Sequence, residues 1–117
     1  MADEERRKFT RYSVSWRARL LLSDKKIYDV TIRDASRGGV GIEFDRVLAI
    51  GTILKIEFFI ESQGDTTRIR AKVKVTVSTV LSDNRGARLG LQFCGISKDD
   101  HHALANVLQL LGDESDS

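Results

Sequence analysis

The chain has 117 residues, of which 41% are hydrophobic and 31% are charged. This length suits one domain with a single hydrophobic core, and the composition excludes a disordered protein. No apolar run reaches the roughly 18–20 residues that a membrane span requires, so we expect no membrane insertion. The net charge of +2 is too small to indicate nucleic-acid binding by itself.

The cysteine content and the first residues of the chain bear on its location. There is one cysteine, Cys94, which excludes an internal disulfide framework and favours a reducing compartment. The N-terminal residues lack the apolar segment of a secretory signal peptide. We therefore expect a cytoplasmic protein in which Cys94 is a buried structural thiol in or just after the last strand.

From Ser13 onward, apolar and polar residues alternate with the period of two that is typical of half-buried strands. Turn-forming residues divide this region into six strands, the fifth running from about Thr67 to Leu81. The residues expected to face inward are Val14, Trp16, Ala18, Leu20 and Leu22 in the first strand, Tyr28, Val30 and Ile32 in the second, Val40, Ile42 and Phe44 in the third, Leu54, Ile56, Phe58 and Ile60 in the fourth, Ile69, Ala71, Val73, Val75 and Val77 in the fifth, and Ala87, Leu89, Leu91 and Phe93 in the sixth.

The period changes near the C-terminus, where a helix is predicted. Ser97 is its N-cap, and Asp99 and Asp100 are favourably placed in its first turn. Its apolar face is formed by Leu104, Val107, Leu108 and Leu111, and Gly112 is the expected stop. Six strands and one terminal helix predict an all-β fold, a closed or nearly closed antiparallel barrel with the helix covering an opening or flank.

This pattern divides the chain into three parts. We expect residues 1–12 to form a flexible basic N-terminal arm, residues 13–112 to form the barrel and helix, and residues 113–117 to form an acidic disordered tail. Catalysis is not indicated anywhere. His101 and His102 point about 100 degrees apart on a helix and cannot clamp one metal ion together, and no serine has the setting of a catalytic nucleophile. We expect no enzyme activity, no metal and no cofactor.

Binding is better supported, by two polar stretches. In the arm, Arg7 and Arg11 lie four residues apart. A guanidinium group is a planar fork that suits both phosphate oxygens and the O6/N7 edge of guanine. Taken alone, however, such an arm is more commonly a solvated tail.

The second stretch is Asp34-Ala35-Ser36-Arg37-Gly38-Gly39, predicted as a turn between the second and third strands. Asp34 offers an acceptor for the N–H groups of a guanine, and Ser36 offers a donor for phosphate. Gly38 and Gly39 let backbone amides approach a ligand without a Cβ in the way. Taken alone, this stretch is also compatible with an ordinary hairpin turn in which Asp34 bonds its own backbone.

The two stretches together resemble the paired motif of the PilZ domain family. Arginines at 7 and 11 are followed by two strands and then by Asp34-x-Ser36-x-x-Gly39, and Gly90-Leu91-Gln92-Phe93 matches a later G-x-x-F element. The resemblance covers about residues 5–111. It implies a six-stranded barrel that binds the bacterial second messenger cyclic di-GMP.

The resemblance also implies roles for particular residues. Arg7 and Arg11 would contact guanine and phosphate from the arm, while Asp34 and Ser36 would contact them from the barrel. Gly39 would keep the turn open. The further candidates are Arg6, just before the motif, and Gly38 and Arg37 in the turn.

The expected function is that of a non-catalytic receptor or adaptor. Cyclic di-GMP would order the arm on the barrel, and the changed surface would signal to an unidentified downstream effector protein. A ligand-dependent homodimer remains open. The alternatives are a PilZ-like interaction module that does not bind nucleotide, and a small barrel that binds nucleic acid through the outer face of residues 68–74. The last is disfavoured because few exposed aromatic residues accompany that face.

Overall fold

Six strands and a C-terminal helix form the part of the chain that the structure describes, residues 9–82 and 85–116 of a computed structural model. The elements are β1 (Tyr12–Leu21), β2 (Ile27–Ser36), β3 (Gly39–Phe44), β4 (Ile53–Ser62), β5 (Asp65–Val80), β6 (Ala87–Ile96) and α1 (Lys98–Asp116). The strands close into an antiparallel barrel in the order β1-β2-β3-β6-β5-β4. The predicted all-β barrel with a terminal helix is therefore confirmed.

The inward residues of the alternating pattern form one core inside the barrel. The largest fully buried side chains are Leu20, Ile32, Ile42, Phe58, Ile60, Ile69, Val73, Val75 and Leu89 of the strands and Leu104 of α1. Trp16 stacks on Phe58 with ring centroids 5.9 Å apart. Each fully buried side chain of this kind contributes about 1.5–3 kcal/mol through removal from water, so the alternation determines which face of each strand turns inward.

Helix α1 is fastened to the barrel at its first turn. Ser97 caps it as predicted, because its Oγ accepts a hydrogen bond from the Asp100 backbone N–H at 3.1 Å. The Asp100 carboxylate in turn accepts from the backbone N–H of Arg70 at 3.0 Å, next to the point where β6 ends. Leu104 and Leu108 are buried against the barrel. Within residues 9–82 and 85–116, no helix is both long enough and apolar enough to cross a membrane.

The helix does not stop at Gly112, so the prediction of its end is wrong. It continues to Asp116, and residues 113–116, assigned to a disordered tail from the sequence, extend its backbone. A Cβ at Gly112 would lie 2.9 Å from the hydroxyl oxygen of Tyr12. This glycine therefore allows the helix to approach the start of β1, and it is not among the residues with positive φ that end helices. Strand β1 begins at Tyr12, one residue before the predicted start.

A β-bulge in β5 reverses the predicted orientation of Val77. Val75 pairs with Leu91 and Val77 pairs with Gly90, so Thr76 is an extra residue in β5. One extra residue moves every following side chain to the opposite face. Val77 is consequently 48% exposed instead of inward.

A second bulge, in β6, lies at Cys94. Lys72 pairs with Gly95 and Val73 pairs with Phe93, which leaves Cys94 as the extra residue. Its side chain is exposed, so the prediction of a buried structural thiol is wrong. The alternation of β6 already places Cys94 on the outer face, next to inward-facing Phe93. The bulge acts on the following residue, Gly95, which is exposed although strict alternation would place it inside.

Candidate functional site

The turn between β2 and β3 is shorter than the sequence predicts. Asp34, Ala35 and Ser36 are the last residues of β2, and Gly39 already belongs to β3 and pairs with Ser36. Only two residues, Arg37 and Gly38, form the turn itself. The polar side chains of this stretch are therefore held on strands, which position them more rigidly than a loop would.

Ser36 stabilises the turn with both functions of its hydroxyl group. It is the one buried polar side chain of the described residues, with 7% exposure. Its Oγ accepts a hydrogen bond from the Gly38 backbone N–H at 3.1 Å and donates to the Gly39 carbonyl at 3.4 Å. The backbone N–H of Gly38 is thereby directed back into the turn.

Both carbonyl groups of the turn are held by residues that lie far away in the sequence. Nε2 of His101, in the first part of α1, donates to the carbonyl of Arg37 at 2.9 Å. The backbone N–H of Phe93 in β6 donates to the carbonyl of Gly38, also at 2.9 Å. The helix and β6 therefore fix the turn from outside the hairpin.

A bulge brings Asp34 to the outer surface. Ile32 pairs with Ile42 and Asp34 pairs with Gly41, which makes Arg33 an extra residue in β2. Strict alternation after inward-facing Ile32 would place Asp34 inside the barrel. The bulge instead turns Asp34 outward and places Ala35 in the core with no exposure.

Arg11 and Asp34 form an ion pair that joins the arm to the barrel. The guanidinium of Arg11 donates to Oδ1 of Asp34 at 3.0 Å, and the two side chains are 50% and 31% exposed. The structure thus brings together one residue from each of the two stretches singled out in the sequence. Arg6 and Arg7 lie outside the described residues.

Phe9 covers the turn from the arm side. A Cβ at Gly38 would lie 2.8 Å from Cδ2 of the Phe9 ring, and the guanidinium carbon of Arg37 is 5.8 Å from the ring centroid. Gly39 is constrained from the opposite side, since a Cβ there would overlap the carbonyl of Leu91 in β6. The absence of a Cβ at Gly38 and Gly39 therefore allows close approach by an aromatic ring and by a neighbouring strand.

Three residues of this region were missed from the sequence. Phe9 could have been noted as the apolar residue between the two arginines, and Gly41 as a further glycine two positions after Gly39. For His101 no sequence signal indicates contact with the turn.

Within residues 9–82 and 85–116, no group of three or more His, Cys, Asp or Glu side chains is placed to hold a metal ion. The site offers guanidinium, carboxylate and hydroxyl groups, which suit recognition of a polar anionic ligand.

A closed six-stranded antiparallel barrel with a polar β2–β3 hairpin and a C-terminal helix defines the structural class of this chain. The model of one family, the PilZ domain, matches residues 5–110. The chain belongs to the PilZ domain family. The resemblance inferred from the two motifs is confirmed.

Solved structures with a similar fold include three informative cases. The inhibitor of motility MotI/DgrA of Bacillus subtilis has a TM-score of 0.77 and 15% identity, covering 91% of this chain and 52% of that one. YcgR of Escherichia coli in complex with c-di-GMP has a TM-score of 0.76 and 20% identity, covering 94% and 47%. The PilZ domain of YcgR with c-di-GMP has a TM-score of 0.65 and 20% identity, covering 94% of each chain.

These likenesses establish the shared fold. This chain spans about half the length of the first two proteins. None of the curated proteins searched matches it.

Proposed function

We propose that this chain is a non-catalytic receptor for cyclic di-GMP. The observation that carries the proposal is the contact between Arg11 and Asp34, because it unites the arm and the β2–β3 hairpin in one site. Membership of the PilZ domain family supports the same ligand. Further support comes from two neighbours of the same fold that are complexes with c-di-GMP.

Asp34 and Arg11 exchange partners when the ligand binds. The Asp34 carboxylate accepts from the N–H groups of a guanine, and the released Arg11 joins Arg7 in contacting phosphate and the guanine edge. The exposed ion pair costs only about 0–1 kcal/mol to break. Each new charge-assisted hydrogen bond contributes about 1.5–3 kcal/mol, so the exchange favours the bound state.

The turn supplies the second part of the site. The hydroxyl group of Ser36 leaves the Gly39 carbonyl and donates to a phosphate oxygen instead, and the backbone around Gly38 and Gly39 comes close to the ligand. Since the Phe9 ring lies against Gly38, the ligand must displace this ring to reach the turn. Arg6 and Arg37 add positive charge beside the phosphates.

Movement of the arm converts binding into a signal. The ligand draws the arm onto the barrel and orders it. The newly formed surface is recognised by a downstream effector protein. A pair of stacked ligands or a ligand-dependent homodimer would be detected by stoichiometry and by molecular mass.

Titration calorimetry with cyclic di-GMP, combined with light scattering, tests the proposal. We expect Arg11→Ala and Asp34→Ala each to weaken binding by about tenfold or more, as the loss of one charge-assisted contact implies. Arg19→Ala is the matched control, because Arg19 is an exposed barrel arginine in a looser ion pair of 3.8 Å with Asp29. The absence of binding to the wild-type protein would refute the receptor function and favour a PilZ-like interaction module without nucleotide.

A further inference from the structure

A row of outward-facing residues crosses five strands of the barrel. Leu21 pairs with Ile27 on one side and with Lys55 on the other, Lys55 pairs with Lys72, and Lys72 pairs with Gly95. All five are exposed, and Ile27 is 65% exposed. We call this row the lysine strip. It has two aliphatic residues at one end, two lysines in the middle and a glycine at the other end.

The lysines of the strip face each other without a counter-charge. Lys55 and Lys72 are directly opposite on β4 and β5, and Lys74 follows two residues later on the same face. Among the described residues none of these three lysines forms an ion pair. Like charges directly opposite in a sheet are destabilising. This arrangement is therefore a cost to the isolated barrel.

In the adjacent row of the same sheet, residues of opposite charge lie opposite each other. Arg19 pairs with Glu57 and Glu57 pairs with Arg70, so the charges alternate in sign. Nε of Arg70 donates to Oε2 of Glu57 at 3.1 Å, and Nε of Arg68 lies 3.7 Å from the same oxygen. Glu57 is thus already shared by two arginines and does not neutralise the lysine strip.

The strip lines a depression in the barrel surface with a volume of about 400 Å³. Its walls include Leu21, Ile27, Lys55, Lys72, Gly95 and Ile96. A Cβ on Gly95 would lie 3.2 Å from the Cβ of Lys72, so the glycine keeps this end of the depression open. The charged side chains in the lining are four cations and one anion, the already paired Glu57.

We propose that the lysine strip is the docking surface for an acidic protein segment that carries large aliphatic side chains. An aliphatic side chain inserted beside Leu21 and Ile27 would bury apolar surface, and flanking carboxylates would neutralise Lys55 and Lys72. Charge complementarity selects the occupant, because the lysines repel each other until an anionic group lies between them.

Two other anionic partners fit the surface less well. Single-stranded nucleic acid binds through aromatic stacking platforms, and no aromatic residue of the described part of the chain lines this depression. A lipid bilayer is penetrated by protruding apolar side chains, whereas this surface is concave. The strip shares no residue with the β2–β3 hairpin site, so the inference does not depend on cyclic di-GMP binding.

Fluorescence anisotropy without nucleotide tests the docking surface. The probe is a labelled synthetic peptide in which leucines alternate with pairs of glutamates, and its matched forms carry glutamine for glutamate or alanine for leucine. We expect the wild-type protein to bind the first peptide about tenfold more tightly than either matched form, as expected when one charged or apolar anchor is lost. Binding should weaken as salt is added.

Substitutions test whether the peptide binds at the lysine strip. Lys72→Gln should weaken binding of the probe peptide about tenfold. The control Arg88→Gln removes an outward-facing cation on the β3–β6 side and should leave the affinity unchanged. Lys72→Glu should abolish binding and raise the thermal unfolding midpoint, because it places a carboxylate opposite Lys55.

Several results would overturn the proposal. They are a failure of the probe to bind, equal binding of the glutamine form, equal effects of Lys72→Gln and Arg88→Gln, or a lowered midpoint for Lys72→Glu. Tighter binding of an oligothymidylate or of phosphatidylserine vesicles would assign the surface to nucleic acid or membrane instead.

Discussion

The Asp34 carboxylate lies directly over Gly41, its partner in the β2–β3 register, where a Cβ would overlap it. Gly41 is on the outer face of β3, and the carboxylate above it accounts for its burial. The glycine leaves Asp34 room to lie low on the barrel and to accept from Arg11 at 3.0 Å. This relationship adds Gly41 to the residues that shape the candidate site.

We predict that Gly41→Ala weakens cyclic di-GMP binding while the barrel remains folded. The added methyl group displaces the tip of a flexible side chain, so the free energy of unfolding should change by about 1 kcal/mol or less. The displaced carboxylate should lose its ligand contact, which corresponds to roughly tenfold in affinity. Calorimetry and urea denaturation measure the two effects. Gly95→Ala, also in a strand, is the control, and equal affinities of the two variants would contradict the prediction.

A second prediction concerns the hydroxyl group of Ser36. Ser36→Ala removes both hydrogen bonds of this group and leaves the Gly38 N–H without its acceptor. We expect a loss of about 1–2 kcal/mol in the free energy of unfolding. Urea denaturation checks this value. Ser62→Ala is the comparison, because the Ser62 hydroxyl has no hydrogen-bond partner among the described residues, and a similar loss there would exclude a special role for Ser36.

The third prediction concerns the link between α1 and the turn. His101→Ala should release the carbonyl of Arg37, increase amide hydrogen exchange around Gly38, and weaken cyclic di-GMP binding. His101→Gln should restore part of the affinity because a glutamine amide also donates a hydrogen bond. The adjacent His102→Ala controls for changes to the helix, since His102 is exposed. Identical exchange rates in the two alanine variants would show that the hydrogen bond does not position the turn.

A fourth prediction follows from the contact between Asp24 and Tyr28. The Asp24 carboxylate accepts from the Lys26 N–H and the Tyr28 hydroxyl, which lowers the pKa of Asp24 below its ordinary value of 3.8. The same hydrogen bond raises the pKa of Tyr28 above 10.0. The stability contributed by Asp24 is therefore present above pH 3.8 and is lost as the pH falls through its lowered pKa. That contributed by Tyr28 is present below pH 10.0 and is lost as the pH rises through its raised pKa.

Thermal unfolding measured against pH tests this contact. Tyr28→Phe should remove the alkaline decrease in stability that arises from the contact and reduce the acid decrease. Asp29→Asn, which alters a highly exposed carboxylate on the same strand, should leave both decreases in place. Unchanged pH profiles for Tyr28→Phe would contradict the assignment.

The fold could be predicted from the sequence because the signals that define it are local. Each strand carries its own alternation, so Leu20, Ile32 and Phe58 are identified as core residues without knowledge of their neighbours. The N-cap at Ser97 is local in the same sense, since it bonds a backbone group three residues away. The paired motif likewise indicated the PilZ domain family from residue types and spacing alone.

Tertiary structure alone decided which residues of the site meet. The bulge at Arg33 turns Asp34 outward. The bulges at Thr76 and Cys94 expose the next residues, Val77 and Gly95, which alternation places inside. A bulge exists only relative to the strand beside it, so one strand's sequence does not specify it. The contacts of Arg11 with Asp34 and of His101 with the turn join distant parts of the chain, and they form only when barrel closure and helix docking bring those parts together.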